Sequence, residues 1–140
     1  VSEEATPVGI PPEFQNLPHP RALAFLGDAV FEIFLRELAV EQGLSQSKDL
    51  HEFTIKRAKA SGQVALFHQL KPSLTEAELE IVRQGRNVSV GAGKRSDQAA
   101  HRQATGLEAL FGALYLANPQ RLTALWVLSK PLLLEDVPRI

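Results

Sequence analysis

Two stretches of this 140-residue chain set an acid among apolar neighbours. In AFLGDAVFE, residues 24–32, Asp28 is bordered by Phe25, Leu26, Ala29, Val30 and Phe31. Further on, His101, Thr105 and Glu108 recur at i, i+4 and i+7, one above another on a helix face. Apolar Ala104, Leu107, Leu110 and Phe111 flank that stripe, which puts Glu108 at the edge of a core or inside it. A carboxylate in such surroundings costs free energy unless something pairs with it. Two such acids can share a hard cation, and Mg²⁺ suits them because it needs only one or two carboxylates and keeps several waters. The alternative is structural, each acid making a hydrogen bond or ion pair, Asp28 for instance with Arg21 or Arg102.

A basic run lies just before the second acid. Between positions 83 and 102, Arg83, Arg86, Lys94, Arg95 and Arg102 face only Asp97, a local charge of +4 in a chain of net charge −1. A run of this kind is either a solvated face or, beside paired acids, a surface for a phosphate backbone. GAGKRS is not a phosphate-cradling loop, because Val88 and Arg95 stand where that motif needs Gly and Ser or Thr. Lys56, Arg57 and Lys59 read as a solvated helix face. The four histidines, at 19, 51, 68 and 101, show no paired metal-ligand spacing, and only His101 falls near the suspected site.

The elements that must hold these residues are helices. From Pro20, apolar residues at three- and four-residue spacing (Leu23, Leu26, Val30, Phe34, Leu38) predict an amphipathic helix closed by Gly43. Residues 48–70 form one helix, or two abutting at Gly62, and Pro72 ends them. Thr75-Glu76-Ala77-Glu78 is a capping box that opens a helix to about Gly85. Residues 87–97 read as an irregular link. A periodic helix follows over 98–117, Asn118-Pro119 breaks it, and a last one runs from Gln120 to Ser129. No period-2 run predicts a strand, so the fold class is all-α, a helical bundle.

The length suits one domain with a real core. Its expected limits are an extended or disordered arm over 1–18, rich in proline and without Lys or Arg, a body over 19–130 and a tail over 131–140. Cysteine is absent, which excludes disulfides, thiolate nucleophiles and cysteine-held zinc. No stretch approaches the roughly 18 apolar residues of a membrane span, and VSEEATPVGIPPE lacks the basic start and apolar core of a secretory signal. The expectation is a soluble, cytoplasmic protein with no membrane partner.

LAFLGDAVFE resembles the signature of the ribonuclease III catalytic domain, and TGLEALFGALYL (105–116) is similar to that family's later Glu-Ala-Leu-x-Gly helix. The spacing, together with RQGRNVSVGAGKRSD (83–97), looks most like the short Mini-III branch, and the resemblance covers about residues 20–128. It implies a helical bundle acting as a homodimeric, metal-dependent endoribonuclease on double-stranded RNA. The products implied carry 5′-phosphate and 3′-hydroxyl ends, and the substrate is a precursor of large-subunit ribosomal RNA. Asp28 and Glu108 match the catalytic metal ligands for Mg²⁺, with Mn²⁺ a possible substitute. Arg83, Arg86, Lys94, Arg95 and Arg102 are the candidates for RNA binding. Two further acids of the longer enzymes are replaced by Ala24 and Thr105. A non-catalytic RNA-binding or ribosome-assembly module of the same fold is the alternative that this loss favours.

Overall fold

The computed structural model describes residues 10–88 and 95–135, with the side chains of 95–97 left aside. Six α-helices account for most of this: α1 (Pro20–Glu41), α2 (Ser47–Ala58), α3 (Ala60–Leu70), α4 (Glu76–Val88), α5 (Arg95–Ala117) and α6 (Pro119–Leu133). There is no strand among the described residues, and the all-α expectation holds.

Helix α5 is the axis of the bundle. Leu107, Ala109, Leu110, Ala113 and Leu114 are wholly buried, because α1, α3, α4 and α6 all pack against it. Each large apolar side chain so buried contributes about 1.5–3 kcal/mol. Phe31 of α1 stacks on Phe111 of α5 at 5.4 Å between ring centres, and Trp126 of α6 stacks on Phe34 at 4.5 Å. These aromatics tie the first, fifth and sixth helices into one core.

Two helix crossings are far closer than side-chain packing permits. A Cβ on Gly27 of α1 would fall 1.6 Å from the backbone oxygen of Glu108, and one on Gly112 of α5 would fall 2.0 Å from that of Leu23. On another side of α5, a Cβ on Gly106 would lie 2.5 Å from the Val82 oxygen of α4. Backbone therefore meets backbone at both crossings, and only glycine leaves room for it. The residues after Gly27 and Gly106 are held with little freedom. Among them are Asp28 and, two positions beyond Gly106, Glu108.

Several local expectations are met, and several need correction. His19 accepts a hydrogen bond from the Arg21 N–H at 3.0 Å and so caps α1, with Pro20 in its first turn. The capping box forms: Glu78 N–H donates to Thr75 Oγ1 at 3.1 Å, and Thr75 N–H to Glu78 Oε1 at 2.9 Å. The same Glu78 is buried and accepts two bonds from Arg121 of α6, at 2.7 and 2.8 Å. Burial raises its pKa, but the Arg121 guanidinium and Thr75 outweigh this and hold the carboxyl below its usual range.

The 48–70 segment is two helices, broken at Lys59, whose extended backbone caps both. Gly62 lies inside α3 rather than at the break. Arg57 is no solvated residue: it is 7% exposed, its Nε donates to the Leu133 carbonyl at 2.8 Å, and its guanidinium lies 3.8 Å from the Phe53 ring centre. Helix α4 runs three residues past Gly85, and α5 begins at Arg95 inside the expected link. Helix α6 continues to Leu133 with Pro131 inside its last turn, where the ring supplies no N–H to the carbonyl four residues back. Within the stretch read as an arm, Phe14 and Leu17 pack on the core, while residues 1–9 lie outside the described residues.

Candidate active site

The crossing of α1 and α5 brings the two acids together. Gly27 abuts the backbone of Glu108, and the adjacent Asp28 hydrogen-bonds the Glu108 side chain. Neither Arg21 nor Arg102 pairs with Asp28 among the described residues. The two acids differ in setting. Glu108 is largely buried, whereas Asp28 is exposed, which corrects the expectation that both sit where charge is expensive. The large residues around Asp28 divide between two faces: Val30 and Phe31 point into the core, while Phe25 is 84% exposed.

Burial is the main reason that the Glu108 carboxyl is pushed up to about 7. The charge of Asp28 and the hydrogen bond to it act in the same direction, and a hydrogen bond from Gln63 opposes them. That third residue was not recognised from sequence. Gln63, on the first turns of α3, is 3% exposed, and its Nε2 donates to Glu108 Oε2 at 3.0 Å and to the Ala58 carbonyl at 2.9 Å. A glutamine four positions from the break at Lys59, in a segment read only for its apolar residues, gives no periodic signal.

The arrangement fits a hard divalent cation. Among the described residues no three His, Asp or Glu side chains cluster, so the acids alone supply two ligands. Both are oxygen donors, as Mg²⁺ prefers, and two carboxylates with waters and phosphate oxygens are sufficient for it. The buried amide oxygen of Gln63 has no hydrogen-bond partner among the described residues. An unsatisfied neutral oxygen on the side chain that braces Glu108 belongs to the ligand class that such a cation takes.

Of the basic residues, Arg83 and Arg86 lie on α4, and Arg95 and Arg102 on α5. Glu108 faces α1 and α3, whereas Gly106 and Ala109 face α4, against Val82 and Gly85. Arg83, Arg86 and Arg102 are exposed, and none contacts Asp28 or Glu108 among the described residues. Arg83 is tied to Glu80 of its own helix, Nε to Oε1 at 2.8 Å. The side chain of Arg95 and all of Lys94 lie outside the described residues. His101 is exposed, its carbonyl accepts from Thr105 Oγ1 at 2.9 Å, and its side chain takes no part in the site.

The family model for the ribonuclease III domain matches residues 21–119. The chain belongs to the ribonuclease III family. A protein of Symbiobacterium thermophilum named Mini-ribonuclease 3 is 46% identical over 100 residues, covering 71% of this chain and 77% of that one. A Mini-ribonuclease 3 of Synechococcus sp. is 44% identical over 106 residues, 76% of each chain. A crystal structure of a Fusobacterium nucleatum protein superposes with a TM-score of 0.70 at 22% identity, covering 83% of this chain and 93% of that one, and so shares the fold. The likeness to the short branch, read from the spacing of the motifs and residues 83–97, is borne out. Ribonuclease III family membership makes this chain an endoribonuclease.

Proposed function

We propose that this chain is a Mg²⁺-dependent endoribonuclease that cuts double-stranded RNA as a homodimer, with Asp28 and Glu108 as its catalytic, metal-holding pair. The observation that carries the reading is the meeting of these two acids at a glycine-tight helix crossing, beside an amide with an unpartnered oxygen. The relatives' name, Mini-ribonuclease 3, supports a paired RNA substrate. On the resemblance to that branch, the substrate is a precursor of large-subunit ribosomal RNA and the compartment is the cytoplasm.

When bound, the cation supplies Lewis-acid stabilisation of charge on the scissile phosphate and activation of water. Glu108 must surrender its proton to join Asp28 as a ligand. Gln63 Nε2 holds the Glu108 carboxylate to one rotamer, and the wall of α3 and α5 behind it keeps that group largely out of bulk water. Duplex RNA displays shape and 2′-hydroxyls across a shallow minor groove, so recognition is by backbone rather than base sequence. Arg83, Arg86, Lys94, Arg95 and Arg102 are proposed to meet phosphates, Arg83 by exchanging Glu80 for RNA. Binding should then weaken steeply with salt.

The homodimer is supported by an exposed apolar stripe on α1. Phe25, Ile33 and Val40 are 84%, 56% and 66% exposed, and with Ala22 and Ala29 they share one side of the helix, with Asp28 at its edge. A lone monomer rarely leaves such a stripe to water, and a two-fold partner would cover it with its own copy. Sedimentation should give a dimer, and Phe25→Asp with Ile33→Asp should give a monomer that keeps its helicity. A wild-type monomer at tens of micromolar would sink the dimer reading.

The replacement of the family's further acids by Ala24 and Thr105 favours a second reading, an RNA-binding module without catalysis. The deciding experiment incubates the chain with long duplex RNA, single-stranded RNA and duplex DNA, with Mg²⁺ or EDTA. Cleavage of duplex RNA alone, dependent on Mg²⁺ and leaving 5′-phosphate and 3′-hydroxyl ends, is expected. Salt-sensitive binding with no cleavage would establish the module instead.

A further inference from the structure

Both N–H groups of the Gln63 amide are committed. One goes to the Ala58 carbonyl at 2.9 Å and one to Glu108 Oε2 at 3.0 Å. Since the Ala58 carbonyl can only accept, the nitrogen must face it, and the orientation of the amide is settled by chemistry. Its oxygen, on the same carbon, is buried and has no hydrogen-bond partner among the described residues. A buried acceptor left empty costs about 1–3 kcal/mol. A chain that merely needed to brace Glu108 could use a donor without that oxygen, such as lysine or a hydroxyl. Glutamine carries a neutral oxygen as well as the N–H that aims one of the acids.

Resting on the metal-dependent reading above, we propose that the Gln63 side-chain oxygen is a third oxygen donor to the divalent cation held by Asp28 and Glu108. Carbonyl oxygens belong to the ligand class preferred by Mg²⁺ and Mn²⁺. A neutral amide adds a ligand without adding to the repulsion between the acids, and it offsets part of what Ala24 and Thr105 no longer supply. Gln63 thus couples α3 to the α1–α5 crossing through the ion: Nε2 positions one ligand and Oε1 is another.

The test measures cation binding directly, by Mn²⁺ electron paramagnetic resonance and Mg²⁺ calorimetry at pH 8, on the full chain without RNA. Variants are Gln63→Leu, Gln63→Glu and Asp28→Asn, each checked for native helicity in EDTA. Gln63→Leu removes both functions of the amide and should weaken Mn²⁺ binding by about 10–100-fold. Gln63→Glu loses the N–H groups but keeps an oxygen, and should bind Mn²⁺ at least as tightly as wild type. If the amide only braces Glu108, Gln63→Glu instead binds as weakly as Gln63→Leu or worse, and the proposal is overturned. Equal binding by wild type and Gln63→Leu overturns it too, leaving the metal-dependent reading intact provided that Asp28→Asn binds weakly. Absence of Mn²⁺ binding by wild type, alone or with duplex RNA, overturns both. Should Gln63→Leu fail to fold, Gln63→Asn, which shortens the reach of the same amide, is expected to weaken Mn²⁺ binding, and unchanged affinity there counts against the proposal.

Discussion

Replacing Gly27 with alanine is expected to cost at least about 4 kcal/mol, a large share of the stability of a domain this size. The added Cβ would sit 1.6 Å from the Glu108 backbone oxygen and 2.9 Å from the Gly112 nitrogen. Both are helix backbone, so no rotamer change can relieve the clash, and α1 and α5 must separate along their crossing. Separation opens the contacts around Leu23, Phe31, Leu107 and Phe111, all buried within one core. Alanine's better helix propensity, worth about 1 kcal/mol, does not offset this. The melting temperature should fall by roughly 15 °C or more, and any folded fraction should bind Mn²⁺ poorly, because Asp28 moves with Gly27. Gly43→Ala is the contrast: with φ +83° and open space around the site, it should cost only about 1 kcal/mol of backbone strain. A Gly27→Ala protein as stable as Gly43→Ala would show that the crossing can relax.

Helix identities were legible because their signals are local. Pro20, the Thr75–Glu78 box and the spacing of Leu107, Leu110 and Leu114 act within a few residues of themselves. The pairing of Asp28 with Glu108 was visible only as two acids in similar company, since the crossing that joins them depends on glycines 85 positions apart. What escaped was set by long-range partners. Arg57 is buried because a carbonyl 76 residues away accepts its proton, and no run of Lys and Arg announces that. Gln63 matters through Glu108, 45 residues on. Asp28 was misjudged because apolar residues nearly encircle α1: Val30 and Phe31 turn inward while Phe25 and Ile33 turn out. Periodicity cannot separate a core face from an exposed apolar one.

Asp28→Asn is expected to lower Mg²⁺-dependent cleavage by about 10³-fold or more, since a neutral amide would replace one of the two charged ligands proposed above. The stronger claim concerns pH. The Glu108 carboxyl has an ordinary value of 4.5 and lies at about 7 in the folded chain, so between those values the native state holds a proton that the unfolded state has lost. Its contribution to stability is therefore fully present below about 4.5 and is lost as pH rises through 7, by at most about 3 kcal/mol. Without metal, the melting temperature should fall across that window. A cation competes with the proton and stabilises only what it binds, so Mg²⁺ should raise the melting temperature slightly at pH 5.5 and strongly at pH 8. Cleavage should climb about tenfold per pH unit below 7 and level off above it. In Asp28→Asn the facing charge is gone while burial remains. The metal-free decline with pH should shrink without vanishing, and the Mg²⁺ effect should be lost at every pH. A wild-type cleavage rate flat from pH 5.5 to 8 would mean that Glu108 does not exchange a proton for the ion.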